Sequence, residues 1–596
     1  MNSVKKLLGI GLMIMMIMPV SVIASNVGDI GNGLSPVINI DTGEDFNTIQ
    51  EAINAVNTTD GHTITVDAGT YNENVIVNKK LSIEGAGMDT TTINGGGSGS
   101  VVTITANWVN ITGFKITGSG TAGSTPNIDA GVKISTVQYC NISGNNLTGN
   151  RNGVNINSGG YHKISGNQIR TNGYDGIFAD SSTYNRIDNN TIIGFTDRGI
   201  WLRTASSNGI IDNNTISTGP YGLYIGSGTT SNTVIKWNTI TKTTNYGMYL
   251  SGNTGSKITW NQVRSNTGTG ITLSGSSSNS ITNNTLLWNN GTAGIALEGG
   301  SANNDVSYNK FWNNIRNGIR FASSGSGNRV TFNNFTNNAK SGSVYDAAVH
   351  LYQWSNYNII ANNSLFDNRY SLSGGSGCDY NTFDNNTVTY TTAYGIILGY
   401  SNYNTFKYNT VRNGLSGGAA SGNAQGNVFI HNNISSNTGN GIAISQGGKH
   451  KILNNTITYN TKTGVNITGS SVFSAEQCII DGNNVSFNGG TGIHLWDSTS
   501  WSQHVYETTV TNNIVVGNAL SGIELIGGTY KNTLTGNNVS QNLRHGISLK
   551  NAPDTTVWNN TVSENAMYGI YVSGTSSSKI YHNNLIDNAN QAYEDG

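Results

Sequence analysis

The hydrophobic positions of this sequence recur in a unit of about 23 residues. A clear copy is Asn185-Arg-Ile-Asp-Asn-Asn-Thr-Ile192, which is followed by Arg198-Gly-Ile-Trp-Leu202. About nineteen copies lie within residues 147–585. Each contains short stretches in which every second residue is apolar, and Gly, Asn and Ser separate these stretches. The two-residue period predicts half-buried β-strands, and the separators predict turns.

The repeat predicts an all-β chain without crossover helices. Strands this short can bury their Ile and Leu side chains only if the chain coils and each turn stacks its strands on the turn before. We therefore expect a single parallel β-helix, or β-solenoid, of about twenty-two coils.

A recurrent Asn supports the stacked arrangement. It lies two residues before the aliphatic or Phe residue that ends each Asn-Asn-Thr-Ile stretch. In a stack with about 4.8 Å between coils, these amides would form a hydrogen-bonded ladder. We place structural Asn ahead of glycosylation for these positions, although many lie in Asn-x-Ser/Thr sequons. The predicted positions are Asn145, Asn167, Asn190, Asn214, Asn238, Asn261, Asn284, Asn309, Asn333, Asn363, Asn386, Asn409, Asn432, Asn455, Asn483, Asn512, Asn537, Asn560 and Asn583.

The N-terminal region differs from the repeats. Two lysines, an apolar run over residues 7–22 and a small-residue cleavage pattern predict a secretory signal peptide over residues 1–24, with an uncleaved anchor as the alternative. Residues 25–100 should hold a capping helix and the first coils, and residues 101–596 the repeats. Phe46, Ile49, Ile53 and Val56 would share the core face of that helix, with Asp45 or Asn47 as its N-cap.

Composition narrows the function. Charged residues make up 11% of the chain and the formal net charge is −1, so the sequence lacks the basic footprint of a nucleic-acid-binding protein. No later apolar run is long enough to span a membrane. Cys140, Cys378 and Cys478 are predicted to be free thiols, because even the nearest two should lie about four coils, or ~19 Å, apart.

The helix, the Ala-Gly-Thr-Tyr turn at residues 68–71 and the Asn-rich repeats resemble the pectin-lyase-like superfamily of right-handed parallel β-helices. The resemblance is nearest to the NosD-like group of carbohydrate-binding and sugar-hydrolase repeats, found in archaeal surface proteins. It covers the chain from about residue 46 onwards and is specific for fold. It is not specific for function, because this scaffold hosts lyases, hydrolases, epimerases and adhesins.

An aromatic row is the first candidate site. The residue between the two apolar positions of the Gly-Ile-x-Leu strand should point outward, which predicts an exposed ladder of rings for stacking on sugars. Flanking positions supply further rings and charges that suit sugar hydroxyls. The alternative is that these rings only protect a flat sheet. The ladder comprises Phe178, Trp201, Tyr224 and Tyr249, and its flanks Asp175, Arg198, Tyr221, Tyr246, Asp180 and Arg203.

A second candidate lies where the repeat lengthens to 28 and 29 residues. The inserts near 470–477 and 497–507 should project side by side, close to a column of Asn466, His494 and Glu524. His494 and Glu524 could exchange a proton, with Asp497 nearby, which would make this a catalytic site. The alternative is an exposed ion pair of little energetic weight.

Metal chemistry is not indicated. The stacked Asp188 and Asp212 could serve as a carboxylate pair or hold Ca²⁺, but Lys236 on the next coil offers simple charge compensation. The NosD resemblance implies a copper-related role. Copper needs clustered His, Met or Cys ligands, which the sequence does not show, so that role is not carried over. We expect no cofactor and no metal site.

These observations favour an exported or cell-surface protein that binds extracellular or cell-surface polysaccharide on its outward aromatic face. Enzyme motifs of the superfamily, such as the Asp-Pro-His of alginate epimerases, do not occur. A polysaccharide lyase or glycosidase at the long loops and a purely structural envelope protein remain the alternatives. A partner contact at the apparently uncapped C-terminal coil is also left open.

Overall fold

The computed structural model describes residues 35–226, 228–340, 346–469, 474–497 and 504–595. The predicted signal peptide lies outside the described residues. Pro36–Gly596 forms one unit, a parallel β-helix in which each coil contributes three strands. The prediction of an all-β solenoid of about twenty-two coils is confirmed.

A typical coil contains Lys163–Ser165, Gln168–Arg170 and Ile177–Thr183 as its first, second and third strands. First strands run from Thr63–Val66 to Lys579–Tyr581, and second strands from Gly69–Asn72 to Asn584–Ile586. In two coils the second and third strands merge, into Thr215–Ile225 and Thr239–Ser251. Strands of successive coils pair in parallel with their Ile and Val residues in register, as between Ile164 and Ile187.

The third strands carry the candidate sites. Those outside the two merged strands are Val75–Val77, Val102–Ile104, Ala130–Gln138, Asn152–Gly160, Ile177–Thr183, Arg198–Arg203, Thr269–Ser274, Ala293–Glu298, Asn317–Ala322, Val349–Tyr352, Leu372–Gly374, Tyr394–Gly399, Gly417–Gly422, Ile442–Ser445, Val465–Thr468, Ile493–Trp496, Ile523–Ile526, Ile547–Lys550, Tyr568–Ser573 and Asn590–Asp595.

The first coil is closed by a hairpin and a short helix. Val37–Asn39 pairs antiparallel with both Glu44–Phe46 and the first coil, which covers an otherwise open strand edge. The helix spans Ile49–Asn54 and buries Ile49 and Ile53 as predicted. Its N-cap is Thr48, in a capping box with Glu51, rather than Asp45 or Asn47. Val56 is 89% exposed because the helix ends before it could turn toward the core.

The Asn ladder is present at the first corner of the coils. Asn167, for example, donates from Nδ2 to the Ile142 carbonyl of the previous coil at 2.8 Å and to Asn190 Oδ1 of the next at 3.0 Å. Asn190 Oδ1 also accepts the backbone N–H of Asn167. Each amide thus satisfies peptide groups that a tight corner would leave buried and unpaired.

One predicted ladder position was wrong. Asn513, not Asn512, accepts the backbone N–H of Asn483 and continues to Asn537. The sequence allows either register, because Ile514 and Val515 are both aliphatic. Val515 is the buried one, and a one-residue shift exchanges the inward and outward sides of a strand.

Two further ladders were missed by the sequence analysis. One lies five residues after the first, as in Asn266 to Asn289 to Asn314, and the other five residues before it, as in Asn279 to Asn304 to Asn328. Both are interrupted in the sequence by other residue types, so their period is harder to see.

Substitution of a ladder residue tests its role. Asn284→Ala leaves the Asn261 amide and the Ile258 carbonyl without their partners in a buried corner, so we expect a loss of about 2–4 kcal/mol in the free energy of unfolding. Asn283→Gly, at the neighbouring left-handed position with φ of 57°, is the matched control and should change it by less than about 1 kcal/mol. Equal denaturation midpoints for the two variants would contradict the ladder's importance.

His450 occupies a ladder position and confers acid sensitivity. Its Nε2 lies 2.9 Å from the Ala424 carbonyl, as Asn427 Nδ2 lies 2.9 Å from that of Ser401. Burial lowers the pKa of His450 to about 4. Because the folded-state pKa is below the unfolded value, the stability from the neutral ring is present above pH ~6.5 and is lost as the pH falls toward 4.

His450→Asn should therefore flatten the decline of the melting temperature between pH 6.5 and 4, as followed by circular dichroism. His431→Asn, at an exposed corner, is the control and should leave the decline as it is in the parent protein. An unchanged pH profile in His450→Asn would show that other groups cause the decline.

Candidate functional site

The predicted site residues lie on one side of the β-helix. Alternation along each third strand turns one side chain outward between two buried apolar ones, and parallel register stacks these positions into a single column, called here the outward column. Both predicted sites belong to it, with mostly small or polar residues between them. Its members include Asn155, Phe178, Trp201, Tyr224, Tyr249, Thr272, Ala296, Arg320, His350, Ser373, Ile397, Ala420, Ala443, Asn466, His494 and Glu524.

The first two rings of the predicted ladder are not exposed. Phe178 is fully buried and Trp201 is 6% exposed. The Arg198 guanidinium lies 3.8 Å from the Trp201 ring centroid, and Phe178 lies 4.6 Å away on the preceding coil. The segment over residues 119–129 folds across the start of the column, where Asn155 donates to its carbonyls at Pro126 and Ile128. The sequence could not reveal this cover, because the segment breaks the repeat.

The charged residues predicted to flank the ladder form ion pairs with one another or with a neighbouring residue. Asp175 is fully buried, lies 3.6 Å from Arg198 Nη1, and has its pKa raised to about 8 by burial. Arg198 also contacts Asp197 at 2.7 Å. Asp180, 5% exposed, lies 3.4 Å from Arg203. These groups form a packed cluster around Trp201.

Four tyrosines form the accessible part of the predicted platform. Tyr221, Tyr224, Tyr246 and Tyr249 are each half-buried. Tyr224 and Tyr249 stack with centroids 5.1 Å apart, Tyr221 and Tyr246 at 5.6 Å, and Tyr221 meets Tyr224 edge to face. Burial, followed by the charge of Glu298, raises the pKa of Tyr246. The next coils of the outward column carry Thr272 and Ala296, which are buried at 0% and 1% exposure.

The long-loop site is only partly assembled. His494 Nε2 lies 3.9 Å from Glu524 Oε2, and Asn466 Oδ1 lies 3.0 Å from His494 Nδ1. Glu524 is also held by Lys550 at 3.0 Å. Asp497 makes a separate contact, 2.5 Å from His504 Nδ1. Burial lowers the pKa of His494 despite the neighbouring carboxylate.

The two loop inserts do lie side by side. Ala475–Glu476 pairs in parallel with Val505–Tyr506, and the Tyr506 hydroxyl donates to Glu476. That hydrogen bond raises the pKa of Tyr506 to about 12. Residues 470–473 and 498–503 of these inserts lie outside the described residues.

The stacked aspartates are neutralised. Asp188 and Asp212 are in register, as predicted. Arg186 contacts them at 2.7 and 3.1 Å, and Lys236 lies 3.7 Å from Asp212. Among the described residues, no group of three His, Cys, Asp or Glu side chains could hold a metal ion.

The sequence analysis did not predict a cleft that lies on the outward column. It has a volume of about 580 Å³ and opens beside Arg320 and His350, over a floor that includes Ser373 and Gly374. The signal for it was available, since the ladder spacing between Asn333 and Asn363 is 30 residues and the Gly-Ile-x-Leu pattern is replaced by Ser-Leu-Ser-Gly-Gly at residues 371–375.

Exposed ring stacks at the corners were also missed. Tyr357, Tyr380 and Tyr403 occupy left-handed corner positions with φ of 54–58° and stack at 5.1 and 5.2 Å. Their interplanar angles of 3° and 11° mean that the middle ring is covered on both faces. Such a ring offers its edge and hydroxyl to solvent, and no face on which a sugar could stack.

The sequence matches the family described as "Right handed beta helix region" over residues 99–263, 219–365, 343–478 and 471–594. The chain belongs to this right-handed β-helix family. Membership confirms the predicted right-handed parallel β-helix. No helix in the described part of the chain is long and apolar enough to cross a membrane.

One similar protein is a "Cell surface glycoprotein" of Methanothermus fervidus, 38% identical over 116 residues. The match covers 19% of this chain and 18% of the relative's length. Among solved structures, the Azotobacter vinelandii mannuronan C-5 epimerase AlgE4 A-module is 12% identical over 67% of this chain and 91% of its own, with a TM-score of 0.30. DFA-IIIase from Arthrobacter chlorophenolicus is 16% identical over 54% and 87%, with a TM-score of 0.34.

The buried position of Trp201 determines the expected effect of its removal. Trp201→Ala should lower the free energy of unfolding by about 3–5 kcal/mol, because it empties a packed cluster and exposes Arg198 and Phe178. Trp237→Ala, which removes a ring that is 53% exposed, should cost less than about 1 kcal/mol. Chemical denaturation of both variants checks this, and equal losses would mean that Trp201 is not buried in solution.

Proposed function

We propose that this protein acts at the cell surface and binds polysaccharide along its outward column. The similarity to a cell surface glycoprotein supports the location, and the predicted signal peptide agrees with it. The group of four half-buried tyrosines is the observation that carries the binding function. Aromatic rings that keep part of a face open suit the apolar face of a sugar, while their hydroxyls can hydrogen-bond.

The column also provides a path for a polymer. From Tyr249 it continues through Thr272 and Ala296 to Arg320, which is three coils, or about 14 Å at the spacing of parallel strands. Thr272 and Ala296 are buried, so a chain of sugars lying parallel to the β-helix axis would contact the half-buried residues at the two ends of this stretch, Tyr249 and Arg320. The buried Phe178 and Trp201 are then supports for the tyrosines rather than contacts for the ligand.

Removal of one ring of the tyrosine group tests the proposal. Tyr249→Ala should weaken binding of the polysaccharide about fivefold to tenfold, because a stacked ring contributes on the order of 1 kcal/mol. Tyr380→Ala is the matched control, since it removes an exposed ring whose faces are covered, and it should leave the dissociation constant unchanged. A glycan array with the parent protein identifies the ligand, and calorimetry measures each variant.

The outcomes separate the alternatives. Absence of binding to any glycan would leave a structural envelope protein. The appearance of reducing ends or unsaturated products from a bound polymer, and their loss in His494→Gln, would instead support the lyase or glycosidase alternative at the long loops.

A further inference from the structure

We propose that the cleft beside Arg320 binds the anionic group, carboxylate or sulfate, of an acidic sugar residue. This inference rests on the proposed function and names the class of polysaccharide that the outward column takes.

The cleft arises from one coil with small side chains. Gly374 occupies the inward position that Leu351 and Leu398 hold on the coils before and after it. A Cβ at Gly374 would lie 2.8 Å from Leu398 Cδ2, so the Leu398 side chain occupies the space that a side chain at position 374 would need. With Ser373 outward, this coil forms a low floor between higher neighbours. The volume of about 580 Å³ falls within the ~300–1,000 Å³ range of ligand pockets.

The charged side chains of the cleft leave one positive charge that no carboxylate balances. Arg316 Nε is paired with Asp346 Oδ2 at 3.2 Å. Arg320 lies over the Tyr352 ring, 4.9 Å from its centroid, and within the described ranges no carboxylate lies within 4.0 Å of its guanidinium. His350 adds no charge at neutral pH, because burial and the neighbouring Arg320 lower its pKa to about 4. Two guanidinium groups and one carboxylate give a net charge of +1, which an anionic ligand would balance.

A buried polar atom also lacks a partner there. His350 lines the cleft, is 2% exposed, and its Nδ1 has no hydrogen-bond partner among the described residues. Leaving such an atom unpaired is costly, so a hydrogen bond from a ligand hydroxyl would be favourable. Tyr400, 57% exposed, stands at the rim and offers a ring to the sugar itself. A planar guanidinium that can bind a carboxylate or sulfate through two hydrogen bonds completes a site for an acidic sugar.

Three polymers and two charge variants test the inference. Polygalacturonate carries carboxylates, dextran sulfate carries sulfates and dextran is uncharged. We expect the parent protein to prefer one of the anionic polymers over dextran by about tenfold at low salt, with the preference falling as salt is added. Arg320→Gln should remove most of that preference. Arg412→Gln removes the same charge from an exposed position on a second strand, and it should keep the preference.

A variant that fills the cleft distinguishes a loss of binding from misfolding. Ser373→Tyr leaves the charges unchanged but occupies the cleft, and it too should remove the preference while the circular dichroism spectrum stays that of the parent protein. Equal affinity for charged and uncharged polymers, or equal losses in Arg320→Gln and Arg412→Gln, would overturn the inference. If an uncharged glycan still binds in a Tyr249-dependent way, only this inference fails. If no polymer binds, the proposed function fails with it.

Discussion

The structure depends on hydrogen bonds from Asn side chains at the corners of the coils. A parallel β-helix must turn sharply three times per coil, and each turn interrupts the strand-to-strand pairing of backbone groups. An Asn such as Asn167 restores it, because its Nδ2 donates to a carbonyl of the previous coil and to the next Asn, and its Oδ1 accepts the backbone N–H of Asn145. Unpaired peptide groups in these corners would each cost about 1–3 kcal/mol.

The outward positions are free to vary, because other residues fill the core and pair the backbone. Inward Ile, Val and Phe residues fill the core, and corner residues satisfy the backbone, so neither depends on what the third strands display outside. Some corners carry a residue other than Asn. His450 takes the place of the amide by contacting a backbone carbonyl, and Cys478 places a buried thiol at the same corner. Burial raises the pKa of that thiol to about 12, which keeps it unreactive.

Variation on the outward column gives three different chemistries on one scaffold. Near its start, charges and rings cluster around Trp201 and are buried. In the middle, the Tyr249 ring is half-buried and a cleft opens beside Arg320. Toward the C-terminus, His494 and Glu524 are bound into a network with Asn466 and Lys550. An acidic polysaccharide lying along the middle segment would use the only one of these three that combines open rings with an unbalanced charge.

The sequence by itself determined the coil, the Asn ladder, the stacking of Tyr224 on Tyr249 and the placement of His494 beside Glu524 on adjacent coils. These follow from a period of about 23 residues, because identical coils in register repeat every contact. It could not determine exposure, since an outward residue such as Trp201 is buried when a neighbouring side chain or a segment outside the repeat covers it. It could not decide between Asn512 and Asn513, where two aliphatic residues make the register ambiguous. Only the tertiary structure decided the cleft, because its floor is a missing side chain at Gly374 and its walls come from coils more than twenty residues apart in the chain.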